Sequence, residues 1–160
     1  MNSRFVARAA IYAALYAALT LAPGLNALAN GQVQFRLAEA LLVFACVDPA
    51  AVVGLAVGTA LGNLNSSLGP PDVLFGSLLT FAAALGMYKI GLHWWALAVP
   101  VVVNGLGVAA ELALLQHLPY WVSAAWVAAG EAAVMATGGA ALFMIVKRYG
   151  DSFGLRRPAA

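Results

Sequence analysis

The sequence predicts an all-α integral membrane protein, a six-transmembrane-helix bundle with both termini cytoplasmic, forming a single domain over residues 1–160. Three observations predict it. The chain is 64% hydrophobic and 9% charged, more apolar surface than a water-soluble domain can hide. Its apolar runs are broken at Pro23-Gly24, Asp48-Pro49 and Gly69-Pro70-Pro71, residues that end helices. Arg4, Arg8, Lys89, Lys147, Arg148, Arg156 and Arg157 all fall at helix ends or loops that an even number of spans puts on one side, which the positive-inside rule makes the cytoplasm.

The spacing predicts helices over approximately 4–22, 34–47, 49–64, 72–90, 94–116 and 119–148. The N-terminus has the charge of a signal peptide, but Phe5 to Ala22 is long enough to span and lacks a convincing cleavage site. This first helix carries two small-residue rows, Ala9/Ala13/Ala17 and Ala10/Ala14/Ala18, that allow close helix approach. They serve either internal packing or a partner subunit. The Gly- and Asn-containing segment 23–31 reads as an outer, lid-like loop, and 65–71 and 116–119 as the other external loops.

The second helix carries the functional clue. Polar Gln32, Gln34, Arg36 and Glu39 run straight into an apolar segment that Asp48-Pro49 ends. Counting back from Asp48 at about 1.5 Å per residue puts Glu39 about 13 Å and Arg36 about 18 Å into a hydrocarbon core of about 30 Å. A charge at that depth is costly, so it faces the protein interior or a water-filled cavity and finds a partner. Arg36 and Glu39, three apart, can partner each other. Either they form an internal ion pair that orients the helix, or they build a ligand site to which Gln34 adds donors and acceptors.

Asp48 before Pro49 fits a structural N-cap. Asn63, at the end of the small-residue-rich third helix, either terminates it or reaches a ligand. Asp72 has the same two readings, with N-capping of the fourth helix ahead of ligand contact. Asn104 falls near mid-depth on the fifth helix, Glu111 toward its outer end, and Glu131 about 16 Å in from Tyr120 on the sixth. No second cation is available in the outer half, so Arg36 alone faces Glu39, Glu111 and Glu131, and the site is net negative unless one carboxyl carries a proton. Trp94-Trp95 and Tyr120-Trp121 fit interfacial anchors.

Several function classes are excluded. There is no GxxxxGK[ST] loop, so the chain does not hydrolyse ATP itself. His93 and His117 fall in loops on opposite sides and cannot share a metal, and HExxH is absent. The serines lack triad partners, so an enzyme is not expected. A basic nucleic-acid face is missing because the basic residues are helix flanks. Cys46, the one cysteine, reads as a buried small hydrophobe.

At Gln34-Phe35-Arg36-x-x-Glu39-x-Leu41 the chain resembles the QueT family of queuosine-precursor transporters, small S components of energy-coupling factor (ECF) transporters. The likeness runs nearly the full length, through Gly62-Asn63, Asp72-Val73-Leu74-Phe75-Gly76-Ser77-Leu78, Asn104, Glu111 and Gly130-Glu131. The resemblance implies a multi-pass protein of the prokaryotic cell (cytoplasmic) membrane that binds its ligand near the outer face. It implies docking on a membrane T subunit, through Ala10, Ala14 and Ala18, with two cytoplasmic ATPases that use the ATP. No cofactor is implied in this chain. The implied ligands are 7-deazaguanines, such as queuine or its aminomethyl precursor, with Gln34, Arg36, Glu39, Asn63, Asn104, Glu111 and Glu131 as the candidate binding residues. A carboxylate accepts the paired N–H donors of a guanine edge, and a second carboxylate suits the ammonium of the side arm. The alternatives are a self-sufficient proton-coupled secondary transporter for a small cationic solute, using Glu111 or Glu131 as relay, and a membrane scaffold whose buried charges only specify packing. The lack of a clear inverted repeat counts against the secondary transporter.

Overall fold

Asn2 opens the first helix, α1 (Ser3–Leu21), by accepting a hydrogen bond from the Arg4 amide at 3.1 Å, which meets one of the orphan N–H groups of the first turn. The computed structural model describes residues 2–22, 35–150, 152 and 154. Gln32, Gln34, the lid-like segment and Arg156-Arg157 lie outside the described residues. The rest is helical: α2 (Pro49–Gly62), α3 (Pro70–Ile90), α4 (Ala98–Gln116), α5 (Tyr120–Val134) and α6 (Ala140–Tyr149), with 3-10 segments at Leu37–Cys46, Asn63–Asn65 and Trp94–Leu97 and a π-helical turn at Met135–Gly139. Four stretches, Ser3–Leu21, Pro70–Ile90, Trp94–Gln116 and Tyr120–Tyr149, are long and apolar enough to cross a membrane, while Leu37–Cys46 and Pro49–Asn65 are shorter apolar helices.

Helices α1 and α2 run side by side in the same direction, held by glycines. A Cβ placed on Gly58 would sit 2.6 Å from Tyr16 Cβ and 2.8 Å from the Ala13 carbonyl oxygen, and one on Gly62 would sit 2.9 Å from Thr20 Cγ2. A Cβ on Gly54 would sit 2.4 Å from the Ala9 carbonyl oxygen and 2.9 Å from Tyr12 Cβ. In lipid, where apolar surface gains little by leaving its solvent, such backbone contact is what drives helix association. The inner face of α1 is therefore Tyr12, Ala13, Tyr16 and Thr20, and Ala10, Ala14 and Ala18 are exposed. The two alanine rows are separated: the one that includes Ala13 packs inward and the other faces out.

At the base of α1, Arg8 pairs with Asp48 at 2.6 Å, and Asp48 caps α2 by accepting from the Ala50 amide at 2.9 Å. The capping role expected of Asp48 holds. Above this corner stands the main correction to the expected fold, because the segment read as an α-helix over 34–47 is a ten-residue 3-10 helix, Leu37–Cys46. It is buried on nearly every side, with Ala38, Leu42, Val43 and Ala45 inaccessible, so packing by its neighbours, not intrinsic propensity, sets its pitch. A rise of about 2.0 Å per residue stretches it over about 20 Å, against about 15 Å as an α-helix. Arg36 and Glu39 thus stand higher above Asp48 than α-helical counting places them.

Below the polar residues, Leu42, Leu55, Met87 and Phe143 form a fully buried apolar base, with Trp94 against Phe143 at 4.5 Å between ring centroids. Gly91 ends α3 at a positive φ of +77°, which glycine tolerates, and His117 (φ +57°) ends α4 in the left-handed α conformation, a common way to stop a helix sharply. The final helix, expected to be continuous over 119–148, is interrupted by the π-helical turn, where Gly138 meets Ala40 at close range and Thr137 donates back to the Ala133 carbonyl at 2.7 Å. A hydroxyl bonded into the helix ladder beside two glycines is a recognised cause of such an irregularity.

Candidate functional site

The top of the 3-10 helix, the first half of α3, the second half of α5 and the middle of α4 surround a small cavity lined among others by Arg36, Glu39, Asp72, Asn104 and Glu131. Its polar groups are Arg36, Glu39, Asn104 and Glu131, which the sequence singled out as site residues, with Asp72 and Thr80, all nine-tenths or more buried and converging from four elements.

Arg36 and Glu39 do not form the direct ion pair that their spacing suggested; among the described residues the ion pair is Arg8 with Asp48. Arg36 precedes the helix with extended backbone (φ −98°, ψ 93°), so the i, i+3 relation of helical side chains does not apply to it. Glu39 is instead clamped from both sides. The Tyr16 hydroxyl on α1 donates to its Oε1 and Asn104 Nδ2 on α4 approaches its Oε2 at 3.4 Å. Glu131 projects into the same cavity with Oε1 unpartnered, and Arg36 Nε is also unpartnered. Buried polar atoms left without partners are uncommon in native structures, and here a carboxylate oxygen and a guanidinium N–H are both available to a ligand carrying donors and acceptors.

The remaining expected residues sort differently. Gln34 is outside the described residues. Glu111 is 4% exposed with both carboxylate oxygens unpartnered, and it is not among the residues lining the cavity. Asn63 also stands behind the cavity wall: its Nδ2 donates to Asp72 Oδ1 at 3.0 Å and to the Asp72 carbonyl at 3.1 Å. Asp72 is not the N-cap expected of it, because Gly69 holds that position and Pro70 starts the helix. It lines the cavity instead. Two prolines in the first turn were the available signal, since proline favours the first helical position and so places Asp72 at the third. Thr80 is part of the lining too, and accepts from the Thr59 hydroxyl at 3.0 Å. Tyr16 carried no signal of its own, as one of three aromatic residues, with Phe5 and Tyr12, in an alanine-rich helix. Among the described residues no group of three His, Cys, Asp or Glu side chains is disposed to hold a metal.

Carboxylates, one guanidinium, an amide and a hydroxyl around one cavity supply hydrogen-bond donors and acceptors for a polar ligand. Comparison with known proteins agrees. The model of the QueT transporter family matches residues 6–148. The queuosine precursor transporter QueT of Lactococcus lactis subsp. cremoris (strain MG1363) is 28% identical over 153 residues, covering 87% of this chain and 90% of that protein. No solved structure matches significantly. With a family match over nearly its whole length and a buried polar cavity among apolar helices, the chain belongs to the QueT transporter family.

Proposed function

We propose that the chain is the substrate-binding S component of an ECF-type importer in the prokaryotic cytoplasmic membrane, taking a 7-deazaguanine such as queuine or its aminomethyl precursor from the outer side. The observation that carries this reading is the convergence of Arg36, Glu39, Asp72, Asn104 and Glu131 on one buried cavity. Six crossings, two of them the short helices, put this cavity in the outer half and both termini in the cytoplasm. Asp72 and Glu131 flank a single guanidinium, Arg36, with Glu39 held by its clamp. This balance favours a cationic ligand, and Glu131 Oε1 is free to accept from the donor edge of a guanine-like ring. ATP is used by two partner ATPases. A T subunit docks on the exposed Ala10, Ala14 and Ala18 of α1, a surface smooth enough for close helix contact. The chain itself is a binding subunit and not an enzyme.

Titration calorimetry of the purified protein tests this. The aminomethyl compound binds more tightly than guanine, and Glu131→Gln, which keeps the shape but replaces an acceptor with a donor, costs ~2–5 kcal/mol, roughly 30-fold or more in affinity. Equal affinity for guanine and the aminomethyl compound would rule out a role for the ligand's charge. One observation favours a second reading: Glu111, buried with both oxygens unpartnered outside the cavity, is a group a proton-coupled secondary transporter would use. Uptake into vesicles by this chain alone, driven by a proton gradient, would establish that reading, whereas uptake that requires ATP and added subunits supports the first.

A further inference from the structure

Resting on the assignment of the cavity to a 7-deazaguanine, we propose that Asp72 is the carboxylate that receives the ligand's cationic side arm, and that Asn63 and Gly76 hold it in place for this. An acidic residue in the first turn of α3 has an ordinary use against the helix dipole. The surroundings of Asp72 exceed that use. Asp72 lines the cavity and is 7% exposed. Asn63, fully buried at the end of α2, aims one amide nitrogen at both Asp72 Oδ1 (3.0 Å) and the Asp72 carbonyl (3.1 Å). One turn further along α3, Gly76 leaves the room this requires: a Cβ there would lie 2.5 Å from Asn63 Nδ2 and 3.1 Å from Asp72 Oδ1. A glycine, an amide and a carboxylate from two helices are thus fitted to one another at the cavity wall.

Depth assigns the role. Helices α3 and α5 start at the same end of the bundle. Asp72 is two residues into α3 and Glu131 eleven residues into α5, about 3 Å and 16 Å from their starts at 1.5 Å per residue. Glu39 has both oxygens engaged by Tyr16 and Asn104, which leaves Glu131 as the open carboxylate at the floor and Asp72 as the one at the mouth. A flat heterocycle entering with its donor edge toward Glu131 then presents its side arm to Asp72.

The test is calorimetric titration of the full chain with 7-aminomethyl-7-deazaguanine, whose arm is an ammonium, and with the neutral 7-cyano-7-deazaguanine. Asp72→Asn is expected to weaken the aminomethyl compound by at least about tenfold and the cyano compound by less than about threefold, as loss of one buried charge partner predicts, while Glu131→Gln weakens both. Gly76→Ala, which crowds Asn63 while keeping the carboxylate, is expected to show the same selectivity as Asp72→Asn, and it carries the test should the latter fail to fold. Equal losses for the two compounds, or none, would overturn the assignment of Asp72 and leave the deazaguanine site standing. Failure of the wild-type chain to bind either compound would overturn the site and this proposal with it.

Discussion

Glu39 is held from two other helices, by Tyr16 on α1 and Asn104 on α4, and these contacts fix what Glu39 can do. With Tyr16 on one oxygen and Asn104 near the other, the carboxylate forms part of the cavity's frame, and Glu131 is left with acceptor capacity. Tyr16→Phe removes the donor and leaves a buried oxygen unpaired, so thermal unfolding in detergent should show a loss of about 1–3 kcal/mol; an unchanged melting temperature would mean that the contact contributes nothing. At this scale the charged residues were legible in the sequence, because an ionisable group far from either end of an apolar run has few mundane explanations. Their partners were not. Tyr16 reads as one more apolar residue of α1, and Asp72 reads as a cap until the prolines before it are assigned to the helix itself.

At the scale of elements, α1 presents two alanine rows of identical composition with opposite fates. Sequence alone left open whether they serve internal packing or a partner; the decisive information was on α2, where Gly54, Gly58 and Gly62 form a ridge that accepts one face of α1 and not the other. Substitutions should separate the two. Gly58→Val intrudes on Tyr16 and the Ala13 backbone and is expected to destabilise the fold by about 1–3 kcal/mol. Ala14→Leu, on the exposed face, should leave unfolding temperature and ligand affinity unchanged while abolishing complex formation and ATP-driven uptake. Unchanged uptake would remove α1 from the docking surface. The 3-10 helix was illegible for a different reason: its composition suits an α-helix, and only neighbours distant in sequence draw it out to a longer pitch.

For the whole molecule, Arg4 and Arg8 lie in the first half of α1, and Lys89, Lys147 and Arg148 in the last turns of α3 and α6; the even-span reading of the sequence puts all five at one end of the bundle. If that end is cytoplasmic, then in a Cys46→Ala background an impermeant thiol reagent applied to intact cells should label Ser67→Cys, in the α2–α3 connection, and spare Ser3→Cys; the reverse pattern would invert the orientation. The π-helical turn at Met135–Gly139 bears on the same architecture through angular phase. Glu131, at the cavity, and Phe143, in the apolar base, are twelve residues apart and both buried. In an uninterrupted α-helix twelve residues at 100° each leave two side chains about 120° apart around the axis, whereas absorbing one residue in a bulge brings them within about 20°. The irregular turn therefore keeps ligand-facing and base-facing residues of one long helix pointed at the same neighbour, and a helical wheel drawn straight through from Tyr120 to Tyr149 would place half of that face in the lipid.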